Sequence, residues 1–290
     1  MDEQISKLRV RSNFSRAAQS YQDHADLQRE IGLELQSRLH YLKRAPEMIL
    51  DLGAGIGAEA PALAKRFPKA HIVALDFSHA MLKKAPSRLG WFRPLHRIAG
   101  DMHALPFANA SFDLVYSNLA LQWASPLLSV LHECRRVLKP QGALLFSSFG
   151  SETLLELRRA WHAVDSKPHV HAFGDLAYYG DAMMQAGLRD PVVDNDLMQR
   201  HYADLRAIHA ALKGIGAVQA FQGSQHGLYG RGALVKLQQA LNAYATAQGI
   251  TMTWEALFGL AFAPEHGQPI RQGGADVASF PLAHLRRKRS

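Results

Sequence analysis

The stretch Met48-Ile49-Leu50-Asp51-Leu52-Gly53-Ala54-Gly55-Ile56-Gly57 constrains this chain more than any other. A short apolar run leads into a carboxylate and three glycines at alternate positions, and residues from Ala60 to Phe67 follow with a helical texture. Physically, this is a buried strand, a tight turn that brings bare backbone near a ligand, and a helix whose first amides face that turn. Pro61 is compatible with such a helix, because in the first turn the missing amide has no intrahelical partner to lose.

The acids further along are spaced to match. Lys69 to Asp76 reads as a second strand ending in a carboxylate, about 20 residues past the glycines, where a ribose diol is bound. Ile98-Ala99-Gly100-Asp101 is a third apolar approach to an acid, and Met102 carries the chain into a loop beside an adenine edge. Together they describe a nucleoside pocket at the carboxyl edge of a parallel sheet. A pyrophosphate site needs Gly-x-Gly-x-x-Gly and cations near the phosphates; here the spacing is Gly53-x-Gly55-x-Gly57, with no Arg or Lys in the turn. Asp51 and Glu59 instead suit a cationic, phosphate-free ligand such as S-adenosylmethionine, with a nucleotide as the alternative.

The remaining chain supplies the rest of one α/β fold. Ser111 to Asn118 is a fourth strand, and Leu119-Ala120-Leu121-Gln122-Trp123 follows it over the reacting end of the pocket. A helix over 125–137 stops at Lys139-Pro140-Gln141-Gly142, and Ala143 to Phe149 is the fifth strand. Helices over 153–164 and 175–186, a sixth strand from Pro191, helices over 203–213 and 231–247, and a seventh strand over 252–262 complete the pattern. At the other end, Phe14, Ala17, Ala18, Tyr21, Ala25 and Gln28 recur at helical intervals, continued by Ile31, Leu35, Leu39 and Leu42. Two helices there read equally as a lid or as an amphipathic arm packed on the sheet. The expected organisation is a helical arm over 1–45, a domain over 46–263 with a seven-stranded, mostly parallel sheet, and a loosely ordered basic tail over 264–290.

Composition narrows the partners. A formal charge of +8, from 33 Lys and Arg against 25 acids, favours an anionic one. Apart from the Arg286-Arg287-Lys288-Arg289 run, no basic stripe interleaves with aromatics, so nucleic acid is not expected. No apolar window is long enough to span a bilayer, and Met1-Asp2-Glu3-Gln4 lacks the charge of a signal peptide; a cytoplasmic protein without membrane association is expected. Cys134 is the only cysteine and reads as packing. Among the fifteen histidines, His169 and His171 share a side if extended, but no third ligand keeps metal-site spacing with them.

The order Asp-Leu-Gly-x-Gly-x-Gly from Asp51, strand-end Asp76, Gly100-Asp101-x-x-x-Leu105-Pro106-Phe107, Phe112-Asp113 and Arg136-Val137-Leu138-Lys139-Pro140-x-Gly142 resembles the class I S-adenosylmethionine-dependent methyltransferases, with their Rossmann-like sheet. A closer resemblance extends to about residue 262. It is carried by Phe14-Ser15-Arg16-Ala17-Ala18-x-x-Tyr21, Ser117 to Trp123, Phe146 to Gly150, the block from Thr153 to Trp161, His171-x-Phe173, and Leu212-Lys213-x-Ile215-Gly216-Ala217. These look like the biotin-synthesis methyltransferases that esterify the free carboxyl of malonyl-acyl carrier protein.

That resemblance implies cofactor contacts at Asp51, Gly53, Ala54, Gly55, Asp76, Phe77, Asp101, Met102 and Asn118, and a lid bearing Phe14, Tyr21 and Gln28. Tyr21, Gln122, Trp123 and Arg158 become the candidates for handling the acceptor carboxylate. Malonyl-acyl carrier protein is the implied partner, with malonyl-coenzyme A as the alternative handle. Trp254 stands where the family pattern has a Tyr beside Glu, and the tail is longer than that pattern. Another small-acid carboxyl methyltransferase, an assembly factor that hydroxylates arginine, and a non-catalytic cofactor-binding protein remain the alternative readings.

Overall fold

The computed structural model describes residues 7–18, 25–90, 93–165, 167, 169–214, 230–265, 270–272 and 275–277. Strands β1 (Met48–Leu52), β2 (His71–Asp76), β3 (His96–Ala99) and β4 (Phe112–Ser117) pair in parallel in the order β3-β2-β1-β4. Crossing from β3 back to β4 on the far side of β1 leaves a crevice at the carboxyl ends of β1 and β4, the place where open α/β sheets bind ligands. Beyond β4 come β5 (Leu138–Phe149), β8 (Gly249–Phe262) and β6 (Arg189–Tyr202), with β8 antiparallel to both of its neighbours.

The strands read as continuous apolar runs because both faces are covered. Their residues alternate with the pleat: Ile49, Ile72, Ala74, Leu114 and Leu145 enter one core, while Leu50, Leu52, Val73, Leu75, Val115 and Leu144 enter the other. The first core takes Leu27, Ile31 and Leu35 of the arm, and the second takes Leu131, Cys134 and Met183 from the opposite layer. Complete burial pushes the Cys134 thiol up to about 12, so it packs as a small apolar residue.

Helices α1 (Lys7–Ala17) and α2 (Asp26–Ser37) form the arm, as the helical spacing predicts. Next come α3 (Ala60–Arg66), carrying Pro61 in its first turn, and α4 (His79–Lys84), capped by Ser78 Oγ accepting from the Met81 amide at 3.4 Å. Helices α5 (Leu127–Val137), α6 (Leu155–His162), α7 (Leu176–Gln185), α8 (Leu205–Gly214) and α9 (Arg231–Leu241) complete the layers.

Three details differ from the sequence reading. The last helix stops at Leu241, and Ala245–Thr246 forms β7 against β8, so the sheet has eight strands rather than seven. Strand β5 starts directly at Leu138 and takes in the Lys139-Pro140-Gln141 stop, with Gln141 in the left-handed region at φ 63°. Past Pro264, Ile270–Gln272 and Ala275–Val277 pair as β9 and β10 in a short antiparallel ribbon. Pro191 falls at a register shift of β6, an edge strand, where a missing amide breaks no ladder.

Candidate active site

The turn after β1 is fastened to the end of β2: the Gly53 and Ala54 amides both donate to Leu75 O, at 2.8 and 3.0 Å. Gly53 lies at φ +74°, and a Cβ there would run into Ala120. Gly55, at φ +55°, has nothing within 4 Å of where its Cβ would be, because it opens onto a cavity of 460 Å³. A side chain at Gly55 would fill space kept for a ligand and strain the backbone as well.

Gly53, Gly55, Asp76, Phe77, Asp101, Met102, Asn118 and Trp123 all line this cavity, so most of the predicted site residues converge on one place. Asp76 ends β2 and is held by two amides: Gly55 N donates to its Oδ2 at 2.9 Å and Ser78 N to its Oδ1 at 2.7 Å. Burial raises the Asp76 carboxyl above the usual range and those two amides oppose the shift. Asp101 Oδ1 takes the His103 amide at 2.9 Å and His103 Nδ1 at 2.8 Å, while His103 Nε2 lies 3.1 Å from Ser125 O.

Asp51 and Ala54 stand behind the glycines rather than on the cavity wall. Asp51 is 1% exposed, and its Oδ2 has no hydrogen-bond partner among the described residues. Burial pushes its carboxyl well above the usual range, and the charges of Glu59 and Asp76 add to the shift. An isolated buried carboxylate is expensive unless paired with positive charge. Glu59 does not reach the cavity: Gln36 Nε2 (2.7 Å), Tyr116 Oη (3.1 Å) and Asn118 Nδ2 (3.0 Å) donate to it. It thereby ties α2 of the arm to Asn118, whose Oδ1 accepts from Ser147 Oγ at 2.6 Å. Gly32 lets the arm approach this closely, since a Cβ there would collide with the Glu59 carboxylate.

The arm also reaches the cavity directly. Phe14 and Arg11 of α1 are part of the wall. The Phe14 ring meets Trp123 edge-on at 5.8 Å and Phe77 at 6.3 Å, and Ser15 Oγ lies 2.9 Å from Ser78 Oγ. Gln28 is buried, its carbonyl accepting from Asn118 Nδ2 at 3.1 Å. Tyr21 lies outside the described residues.

Two predicted residues sit elsewhere. Gln122 is buried away from the cavity, its Nε2 donating to Leu119 O at 2.7 Å. It belongs to the 3₁₀ turn Leu121–Trp123, where consecutive side chains diverge sharply, so Trp123 faces the cavity and Gln122 faces the core. Arg158 donates to Ser151 O (3.0 Å) and Thr153 O (3.1 Å) and lines a different cleft. Burial lowers its pKa, against a smaller effect of Glu152.

Arg11 and His103 are wall residues absent from the predicted set. His103 carried a local signal, two residues past Asp101, and Arg11 stands one helical turn before Phe14. Trp254, the departure from the family pattern, is buried against Phe149 at 5.2 Å and does not line the cavity. Among the described residues no cluster of three or more metal-ligating side chains occurs. No helix among them is long and apolar enough to cross a membrane.

The sheet order, the glycine turn and the strand-end acids define a Rossmann-like methyltransferase. Residues 50–146 match the model of the methyltransferase domain family. The fold is also that of a putative methyltransferase from Bacillus halodurans (TM-score 0.56, 17% identity, 79% of this chain and 98% of that one). A second solved structure, the YcgJ protein of Bacillus subtilis, is similar at TM-score 0.54 and 18% identity, covering 81% of this chain and 98% of that one.

The finer assignment comes from relatives matched over nearly their whole length. A malonyl-[acyl-carrier protein] O-methyltransferase of Xylella fastidiosa is 40% identical, covering 94% of this chain and 93% of the relative. One from Halorhodospira halophila is 38% identical over 98% and 97%. The chain belongs to the malonyl-[acyl-carrier protein] O-methyltransferase family. Its cofactor is S-adenosylmethionine, and the residues present fit it. Asp51 Oδ2, without a hydrogen-bond partner among the described residues, suits a cationic ligand, Asp76 a diol, and the open face of Gly55 a closely packed one.

Proposed function

We propose that the chain transfers a methyl group from S-adenosylmethionine to the free carboxylate of malonyl-acyl carrier protein, giving the methyl ester that starts pimeloyl synthesis for biotin. The acceptor rests on the full-length similarity to relatives of that name. The observation that carries the cofactor half is Asp51 Oδ2, a buried acceptor without a partner among the described residues, beside two further acids.

The cofactor, when bound, supplies an electrophilic methyl on a sulfonium. The chain's own residues have to bind, align and dry the site. Asp76 offers strand-end acceptors already oriented by the Gly55 and Ser78 amides. Asp101 and Met102 border the adenine side, and Asn118 is locked by Glu59 and Ser147. A malonyl carboxylate is ionised at neutral pH, so no general base is required. Removing its water and holding it in line is the main task, for which orientation alone contributes up to about 7–11 kcal/mol. Phe14, Phe77 and Trp123 form the apolar wall that does this. Arg11 is the only Lys or Arg on the described wall, which makes it, rather than Arg158, the cation for the acceptor carboxylate. The enzyme acts in the cytoplasm on a carrier-borne thioester, with neither nucleic acid nor membrane as partner.

Incubating the chain with S-adenosylmethionine and malonyl-carrier, succinyl-carrier or malonyl-coenzyme A tests this reading. Formation of S-adenosylhomocysteine with the malonyl carrier, and far less with the succinyl carrier, is expected. Cofactor binding without turnover on any of the three would contradict it.

A further inference from the structure

A second cleft, of 570 Å³, opens between α6 and the loop that follows it. Arg158, Arg159 and His162 of the helix and Lys167 of the loop line it, together with the buried Trp161 and Val170. No carboxylate stands among its described lining residues. Asp165, nearby in sequence, is taken up by His169 Nε2 at 2.5 Å and the Lys167 amide at 2.9 Å. The His169 ring stacks on Trp161 at 3.9 Å and 15°, which pins the loop to the helix. Two residues on, His171 stacks on Trp123 at 5.7 Å and 20°. Trp123 is a wall of the cofactor cavity, and His171 stands in the chain between Val170 and Ala172 of the cleft lining, so this aromatic pair links the two.

The charge in this cleft has no structural use that accounts for all of it. Arg158 braces the chain before α6, but Arg159, His162 and Lys167 are exposed. Exposed Arg159 and Lys167 over an apolar floor, with no acid in the described lining of the cleft itself, complement an acidic protein surface. We propose that this cleft docks the acidic carrier protein, setting its thioester arm to pass His171 and Trp123 into the cofactor cavity. The proposal rests on the acceptor reading given above and adds where the carrier sits. Arg159 on the helix and Lys167 on the loop are both exposed rather than enclosed in a phosphate pocket, which favours a protein over the phosphates of coenzyme A.

The test uses the full chain with Arg159→Glu and Lys167→Glu combined, and Lys65→Glu with Arg66→Glu on the exposed end of α3 as a control of equal net charge. Methyl transfer is measured on malonyl-carrier, malonyl-coenzyme A and malonyl-pantetheine, which keeps the thioester without the protein, and a thermal melt checks folding. For the double variant kcat/KM on the carrier is expected to fall about tenfold or more, and less so at high salt. On malonyl-pantetheine, and for the Lys65→Glu and Arg66→Glu control on every substrate, it should stay within about twofold. Unchanged kcat/KM on the carrier overturns the proposal, as does an equal loss on all three substrates or an equal loss on coenzyme A and carrier. A parent enzyme that methylates the small thioester but not the carrier also overturns it. A parent that methylates none of the three removes the acceptor reading itself, a different failure.

Discussion

From β3 to β4 the sheet is wholly parallel and sends polar groups out of its carboxyl edge; from β5 to β6 it contains the antiparallel β8, and its buried carboxylate and hydroxyl groups meet other polar groups of the chain. In the first half Asp51 Oδ2 lacks a partner among the described residues, and Asp76 and Asn118 face the cavity. In the second half Glu255 accepts from Asn195 Nδ2 at 2.7 Å and the Glu152 amide at 2.8 Å, and Ser148 Oγ lies 2.5 Å from Tyr179 Oη. Glu156 likewise accepts from the Thr253 amide at 2.9 Å. A buried polar group left without a partner is tolerated where a ligand completes it, so the contrast separates a binding edge from a supporting one.

Substitutions on the two sides should therefore fail differently. The largest effect is expected for Asp76→Ala: losing charge-assisted acceptors should weaken S-adenosylmethionine binding about 100-fold by titration calorimetry. Gly55→Ala should weaken it about tenfold and also destabilise the fold, since forcing a side chain to φ +55° costs about 1–2 kcal/mol. Arg11→Ala should raise KM for every malonyl thioester about tenfold while leaving cofactor affinity nearly unchanged. On the supporting side, Glu255→Ala should lower stability by about 2 kcal/mol in denaturant melts, with cofactor affinity of the folded protein within about twofold of the parent. A large loss of cofactor affinity from Glu255→Ala would break the contrast.

Protonation sharpens the same comparison with a smaller signal. Burial holds the Asp51 carboxyl well above its ordinary value in the free protein. Between the ordinary value of 3.8 and that raised value, the native chain holds a proton that the unfolded chain has lost, so this group's contribution to stability declines as pH rises through the window. A bound cation favours the carboxylate and should release that proton, so cofactor affinity should increase with pH across the same window. Calorimetry in buffers of different ionisation enthalpy reads the release, and Asp51→Asn should abolish it.

The binding edge was legible because its determinants are local. Glycine at alternate positions and an acid at each strand end fix turn, cofactor class and the convergence of Gly53, Gly55, Asp76 and Asp101 without knowledge of the rest of the chain. Arg11 was not legible, since only the seating of α1 through Phe14 on Trp123 and Ser15 on Ser78 brings it to the wall. Gln122 and Arg158 fall outside the cavity for a related reason: a 3₁₀ turn directs Gln122 back to Leu119 O, and Arg158 braces Ser151 and Thr153. Their neighbourhood in sequence did not encode their direction. Ala245–Thr246 was not legible in the sequence, because a two-residue strand has no periodicity.

The most direct measurement follows the methyl group itself. Malonyl-carrier is incubated with the chain and S-adenosylmethionine bearing a deuterated methyl, and the thioester arm is fragmented in the mass spectrometer. The account predicts one labelled methyl on the terminal malonyl carboxylate, absent with Asp76→Ala. Unlabelled malonyl-carrier in the presence of bound cofactor, or a label on the carrier protein rather than the malonyl group, would contradict it.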